Sequence, residues 1–265
     1  MKFFLRFLLL VLGLASFVRA DTSVTYPYPS PPSGSNPAIF PAPRVEWLNN
    51  FGSRVVHARQ MPEVSIIFDG DSITDFWQGN GKEIWTKYAK LNAMDFAISG
   101  DQTQHVLWRL QQGQADNLKP KLIFLMIGTN NVPSCTAEQI ADGVKAIIDE
   151  YRKVCPDAVV VLQAIFPRDP TPETPNRQKI KAINALISKF DDGKNVIYLD
   201  FADKFLQPDG TLSKDIMPDY LHPSAKGYQI WADQINPIIN RFFPAARLPL
   251  SNVEAAPAAA PAKTP

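Results

Sequence analysis

Five short apolar runs recur along the chain, at 64–69 (VSIIFD), 94–99 (MDFAIS), 122–127 (LIFLMI), 158–165 (AVVVLQAI) and 195–200 (NVIYLD). Runs this continuous suit strands covered on both faces, a property of parallel rather than antiparallel sheets. Helical periodicity falls between and after them, at 81–88, 103–112, 136–154, 176–190 and 224–242. Strands alternating with helices in this way predict an α/β fold: a three-layer α/β/α sandwich with a five-stranded parallel sheet and right-handed crossovers. The 265 residues, 45% of them hydrophobic, suffice for one domain with a full core, and no internal repeat is visible.

The ends read differently. The opening MKFFLRFLLLVLGLASFVRA sets Lys2 and Arg6 before an apolar run and finishes in Val18-Arg19-Ala20. This predicts a signal peptide over residues 1–20, cleaved after Ala20, and a secreted or periplasmic product. The apolar run is shorter than the roughly 20 residues that span a bilayer, so no stable membrane insertion is expected. Residues 21–45 are Pro-rich without amphipathic period and predict an extended linker, residues 46–247 the folded domain, and residues 248–265 a disordered Ala/Pro-rich tail.

Charge excludes one class of partner. Loss of Lys2, Arg6 and Arg19 with the leader leaves 24 basic against 26 acidic residues, a net charge of −2. No basic stripe is present to neutralise phosphates, so no nucleic acid is expected. The two cysteines, Cys135 and Cys155, flank the helical stretch 136–154. A straight helix of that length holds its ends about 27 Å apart, whereas bridged Cα atoms lie within about 7 Å. Two unpaired, buried thiols are expected.

In a doubly wound sheet the ligand site lies beyond the carboxyl ends of the strands. After the first run comes Asp69-Gly70-Asp71-Ser72, after the second Gly100-Asp101, and after the third Gly128-Thr129-Asn130-Asn131. Ser72 on a tight turn opening a helix presents a hydroxyl to solvent. The N–H groups of Ser72 and Gly100 and the amide of Asn130 would give three donors around one oxygen. Singly, Ser72 reads as an N-cap, Gly100 as a turn glycine and Asn130 as an Asx turn. Their occurrence on three loops of one sheet edge is what those readings leave unexplained.

A hydroxyl needs a base to act as a nucleophile. Of His57, His105 and His222, the first precedes the core and the second falls in a helical pattern. His222 lies in Asp219-Tyr220-Leu221-His222-Pro223, just before the last helix. Asp219 would hold one ring nitrogen while the other faces Ser72, although the two would also serve as caps for that helix. Asp69, Asp71, Asp219 and His222 lack the second histidine or clustered cysteines of a zinc site, so no metal and no cofactor is expected. Phe76, Trp77, Trp85, Trp108 and Trp231 would either stack on a sugar or, as helical spacing favours, fill the core.

These residues resemble the GDSL/SGNH hydrolase superfamily: Gly70-Asp71-Ser72, Gly100, Gly128-Thr129-Asn130-Asn131 and Asp219-Tyr220-Leu221-His222 match four of its blocks. The stretch 96–110, Lys119-Pro120-Lys121 and Pro167-Arg168 are similar to its platelet-activating-factor acetylhydrolase-like branch. The resemblance implies a flavodoxin-like fold and a serine ester hydrolase with Ser72 as nucleophile, His222 as base and Asp219 as orienter. It implies an oxyanion hole of Ser72, Gly100 and Asn130, and an acyl pocket lined by Ile73, Thr129 and Leu221. Bulk at those three positions predicts a short-chain, acetyl preference. With export, the expected substrate is a small ester or acetylated carbohydrate, and the branch leaves room for a homodimer. Members with Asp where this chain has Asn131 are common in the superfamily, and the departure is shared with the acetylhydrolase-like branch. The alternative is a catalytically silent module that holds glycans in the same cleft.

Overall fold

Branched and aromatic residues dominate β1 (Ile66–Gly70), β3 (Leu122–Met126), β4 (Val159–Gln163) and β5 (Val196–Leu199), while the short β2 (Ala93–Asp95) is Ala-Met-Asp. In the computed structural model, which describes residues 30–249, these strands form one parallel sheet in the order β2-β1-β3-β4-β5. The register pairs Ile66 with Ala93 and with Leu122, and carries β1 alongside β3 as far as Gly70 and Met126. The helices are α1 (Leu48–Gln60), the single turn α2 (Ser72–Asp75), α3 (Lys82–Ala89), α4 (Thr103–Gln111), α5 (Ala137–Val154), α6 (Pro175–Ile187) and α7 (Ala225–Phe242).

The two-residue period of the strands divides the core into two layers. Ile67, Ile123, Leu125, Val160 and Leu162 join Leu107 of α4, Ile147 of α5 and Ile183 of α6. Ile66, Phe68, Leu122, Phe124 and Val161 join Tyr88 of α3 and Trp231 and Ile235 of α7. Helices therefore cover both faces, as the uninterrupted apolar strands require. Helix α5 begins with the reciprocal box that Thr136 and Gln139 announce in sequence, Thr136 accepting from Gln139 N and Gln139 from Thr136 N. Cys135 and Cys155, at its two ends, are both free and buried.

Three features differ from the sequence expectation. The second strand ends at Asp95 instead of Ser99; beyond it the Asp95 carboxylate accepts the N–H of Ala97 at 2.9 Å, while Phe96 N still donates to Phe68 O at 2.7 Å and Ile98 N to Gly70 O at 3.3 Å. Helix α1 has no counterpart in the apolar pattern; its one fully buried residue is Ala58, too little to produce a stripe. The lead-in is not a free spacer in its described part. Asn36 caps a 3-10 turn (Pro37–Ile39), the Ala38 carbonyl accepts from Thr103 Oγ1 at 2.8 Å, and Ala42 N donates to Gln104 O at 3.3 Å. Residues 36–44 thus lie against α4 and α5. The expected leader, residues 21–29 and the tail from 250 onward lie outside the described residues. Among the described residues no helix is long and apolar enough to cross a membrane.

Candidate active site

Strand β1 delivers the chain to a crowded turn. A side chain at Gly70 would run into the Met126 carbonyl and Thr74, so only glycine lets β1 and β3 stay paired there. Asp71 follows in extended conformation and its Oδ1 accepts the Ile73 N–H at 3.0 Å, which caps α2 and places Ser72 at its first position.

The imidazole of His222 arrives from the loop before α7. Ser72 Oγ lies 2.8 Å from His222 Nε2, and His222 Nδ1 lies 2.6 Å from Asp219 Oδ2. Asp219 Oδ1 also accepts the backbone N–H of Leu221 at 3.0 Å and of His222 at 2.8 Å. One carboxylate therefore fixes both the ring and the backbone that carries it. An ionised carboxylate only accepts, so the imidazole proton sits on Nδ1 and Nε2 is left to accept from the serine hydroxyl. Burial raises the Asp219 carboxyl, but the hydrogen bonds from His222 and Leu221 outweigh it and hold it below the usual carboxylate range. Tyr220 takes the left-handed conformation, φ 59°, which folds this loop tightly, and its carbonyl accepts Asp169 N at 2.9 Å from the loop after β4. The ring of Phe76 stands 5.1 Å from that of His222.

Gly100 has φ 81°, a region that L side chains rarely adopt, and a Cβ there would meet the guanidinium of Arg44. Arg44, at the end of the lead-in, donates to the adjacent Ser99 carbonyl at 2.6 Å. Asn130 lies in a 3-10 turn (Thr129–Asn131), and its Nδ2 donates to the Asp101 carbonyl at 2.9 Å, which ties its loop to that of Gly100 and, among the described residues, leaves its second amide hydrogen uncommitted. No acceptor meets the N–H of Ser72 or Gly100 among the described residues. The structure thus brings Ser72, His222 and Asp219 into one hydrogen-bonded chain and joins the Gly100 and Asn130 loops beside it.

Of the residues expected to line an acyl pocket, Ile73 is buried and Leu221 half-buried in the same apolar layer, and Thr129 is buried with its carbonyl accepting from Arg168 at 3.1 Å. Asn131 serves the scaffold: its Oδ1 accepts Thr103 N at 3.0 Å at the start of α4, and its Nδ2 donates to Gln104. His57 is exposed on α1, and His105 accepts Gln102 N in a capping box. Trp77 and Trp231 belong to the core, Trp85 packs on Phe68 and Trp108 on Phe51, so Phe76 is the aromatic residue of that group next to His222. Among the described residues no group of His, Cys, Asp and Glu could hold a metal ion. Arg44 and Arg109 have no counterpart among the residues singled out in the sequence; an arginine on the apolar face of the 103–112 pattern and an aspartate ending an apolar run were the available signals.

The model of the GDSL-like lipase/acylhydrolase family matches residues 68–230. Platelet-activating factor acetylhydrolase IB subunit alpha1 of Rattus norvegicus is 37% identical over 203 residues, covering 74% of this chain and 85% of that protein. The alpha2 subunit from the same species is 35% identical over 202 residues, covering 73% and 86%. Among solved structures, a GDSL-like lipase from Bacteroides thetaiotaomicron superposes with TM-score 0.61 at 17% identity, covering 73% of this chain and 98% of that one. The psychrotrophic esterase EstA from Pseudoalteromonas sp. does so with TM-score 0.51 at 18% identity, covering 69% and 100%. The structural likenesses carry the α/β/α fold.

Proposed function

The chain belongs to the GDSL-like lipase/acylhydrolase family, a family of ester hydrolases, and from that premise we propose that it is an exported acetyl esterase working through Ser72, His222 and Asp219. The observation that carries this reading is the unbroken chain from Ser72 Oγ to His222 to Asp219, at 2.8 and 2.6 Å. His222 Nε2 takes the hydroxyl proton as Oγ attacks the ester carbonyl, while Asp219 stabilises the imidazolium. The N–H groups of Ser72 and Gly100 and the amide of Asn130 receive the developing oxyanion. His222 then protonates the leaving alcohol, and water repeats the sequence to release the acid.

Ile73, Thr129 and Leu221 bound the acyl side in this proposal. Their bulk and burial favour a two-carbon acyl group, since one unaccommodated methylene changes discrimination by about 1–3 kcal/mol. Phe76 beside His222 offers an apolar surface to the alcohol half, which with export favours an O-acetylated carbohydrate. The set of Ser72, Gly100, Asn130, Asp219 and His222 is complete in this chain, and that speaks for catalysis over a silent glycan-binding role.

The test is an ester panel. Ser72→Ala should remain folded, lose acetyl-ester hydrolysis and lose labelling by a fluorophosphonate, and Asn130→Ala should lower kcat roughly 10²–10³-fold, equivalent to about 2.7–4 kcal/mol. Wild-type turnover in Ser72→Ala would remove the mechanism. Acetyl esters should outpace butyryl esters, with octanoyl esters nearly inert; equal rates on acetyl and octanoyl would remove the acyl assignment.

A further inference from the structure

Asp69 closes an apolar strand and is completely buried, a costly place for a carboxylate unless it is fully partnered. Its Oδ1 accepts from Gly70 N and from Arg109 Nη2, both at 2.9 Å, and its Oδ2 accepts from Tyr151 Oη at 2.6 Å. Arg109 projects from the inward face of α4 with 3% of its side chain exposed. Its Nε donates to Asp101 Oδ2 at 2.9 Å and its Nη1 to Gln114 Oε1. Asp101 directly follows Gly100, and its main-chain carbonyl is the acceptor for Asn130 Nδ2. One guanidinium fork therefore joins the end of β1, three residues before Ser72, to the loop of Gly100, and through the Asp101 main chain to the loop of Asn130.

We propose that Arg109 is a positioning residue that holds the Ser72, Gly100 and Asn130 donors in mutual register from behind the sheet edge. This rests on the reading of those three groups as an oxyanion hole. An oxyanion hole works by being set before the reaction, and displacements of about 0.5 Å already degrade it. The rigid, always-charged fork of arginine suits that task, because its donors leave in fixed directions and two carboxylates accept them at once. Lysine at the same place keeps the charge and loses the fork.

The experiment is a double-mutant cycle on the full chain, read as kcat and KM for an acetyl ester. Arg109→Lys is expected to lower kcat about tenfold and leave KM within about twofold, because a register defect acts on the transition state more than on the bound ester. In the Asn130→Ala background the same substitution is expected to cost at most about threefold, since both changes damage one device. An undiminished loss in that background, an effect confined to KM, or an unchanged kcat would each overturn the proposal. Should Arg109→Lys fail to fold, Asp101→Ala takes its place in the cycle, since it removes the acceptor for Arg109 Nε while keeping the main-chain carbonyl that Asn130 uses, and the same outcomes decide. Wild-type kcat in Asn130→Ala alone would instead bring down the oxyanion-hole reading, and the positioning role with it.

Discussion

Asp71 sits between a glycine and the serine hydroxyl, buried, with its Oδ1 on the Ile73 N–H. Burial pushes its carboxyl from 3.8 up to about 7, against the opposing pull of that hydrogen bond, and burial does the same to Asp95. A folded-state pKa above the unfolded value means that the folded chain keeps protons the unfolded chain releases. Stability from these two groups is therefore complete below the ordinary carboxylate range and is lost as pH rises toward and through about 7. Asp219, held low, has the opposite sign and loses its contribution only in acid. The melting temperature should fall between pH 5 and pH 8, and Asp71→Asn, which keeps the acceptor for Ile73, should flatten part of that fall. Calorimetry across the range checks both; a rising melting temperature, or an unaltered slope in Asp71→Asn, would contradict the assignment.

The lead-in is an element in its own right. Arg44 grips Ser99 beside Gly100, and the Ala38 carbonyl receives the Thr103 hydroxyl on α4. Gly143 on α5 makes room for this contact, because a Cβ there would stand 2.7 Å from Thr103 Cβ and 2.8 Å from the Ala38 carbonyl. Alanine in a helix interior is worth about 0.5–1 kcal/mol over glycine, but overpacking costs about 1–3 kcal/mol, so the clash decides the sign. Gly143→Ala should lower the denaturant midpoint; a raised midpoint would show that the lead-in moves aside without cost. None of this was legible beforehand, because a Pro-rich segment docks through carbonyls and one alanine, and hydrophobic period carries no trace of such contacts. Helix α1 escaped for the same reason. The strands and the amphipathic helices were legible because each buries a continuous face, and Ser72, Asp219 and His222 because a serine after a strand and a histidine near a carboxylate have few joint uses. The buried fork of Arg109 depends on a helix, a strand end and a loop meeting in space, which spacing along the chain does not encode.

At the scale of the molecule, stability comes from two apolar layers around the sheet rather than from covalent staples. Cys135 and Cys155 are free and buried, and burial pushes the Cys155 thiol up to about 11, so it stays protonated and unreactive at neutral pH. Addition of a reductant should leave the melting temperature unchanged; a drop would reveal a covalent link. Strands and helices put every proposed reacting group on one rim, with β1 and β3 at the centre and the His222 loop reaching in from the chain's far end. On that rim Asp219 keeps 55% of its side-chain surface exposed, against 23% for His222. Deacylation in the proposed cycle thus takes place at an open doorstep, where any small hydroxyl compound competes with bulk solvent for the acetyl group. Methanol added to the assay should divert part of the product into methyl acetate in proportion to its mole fraction.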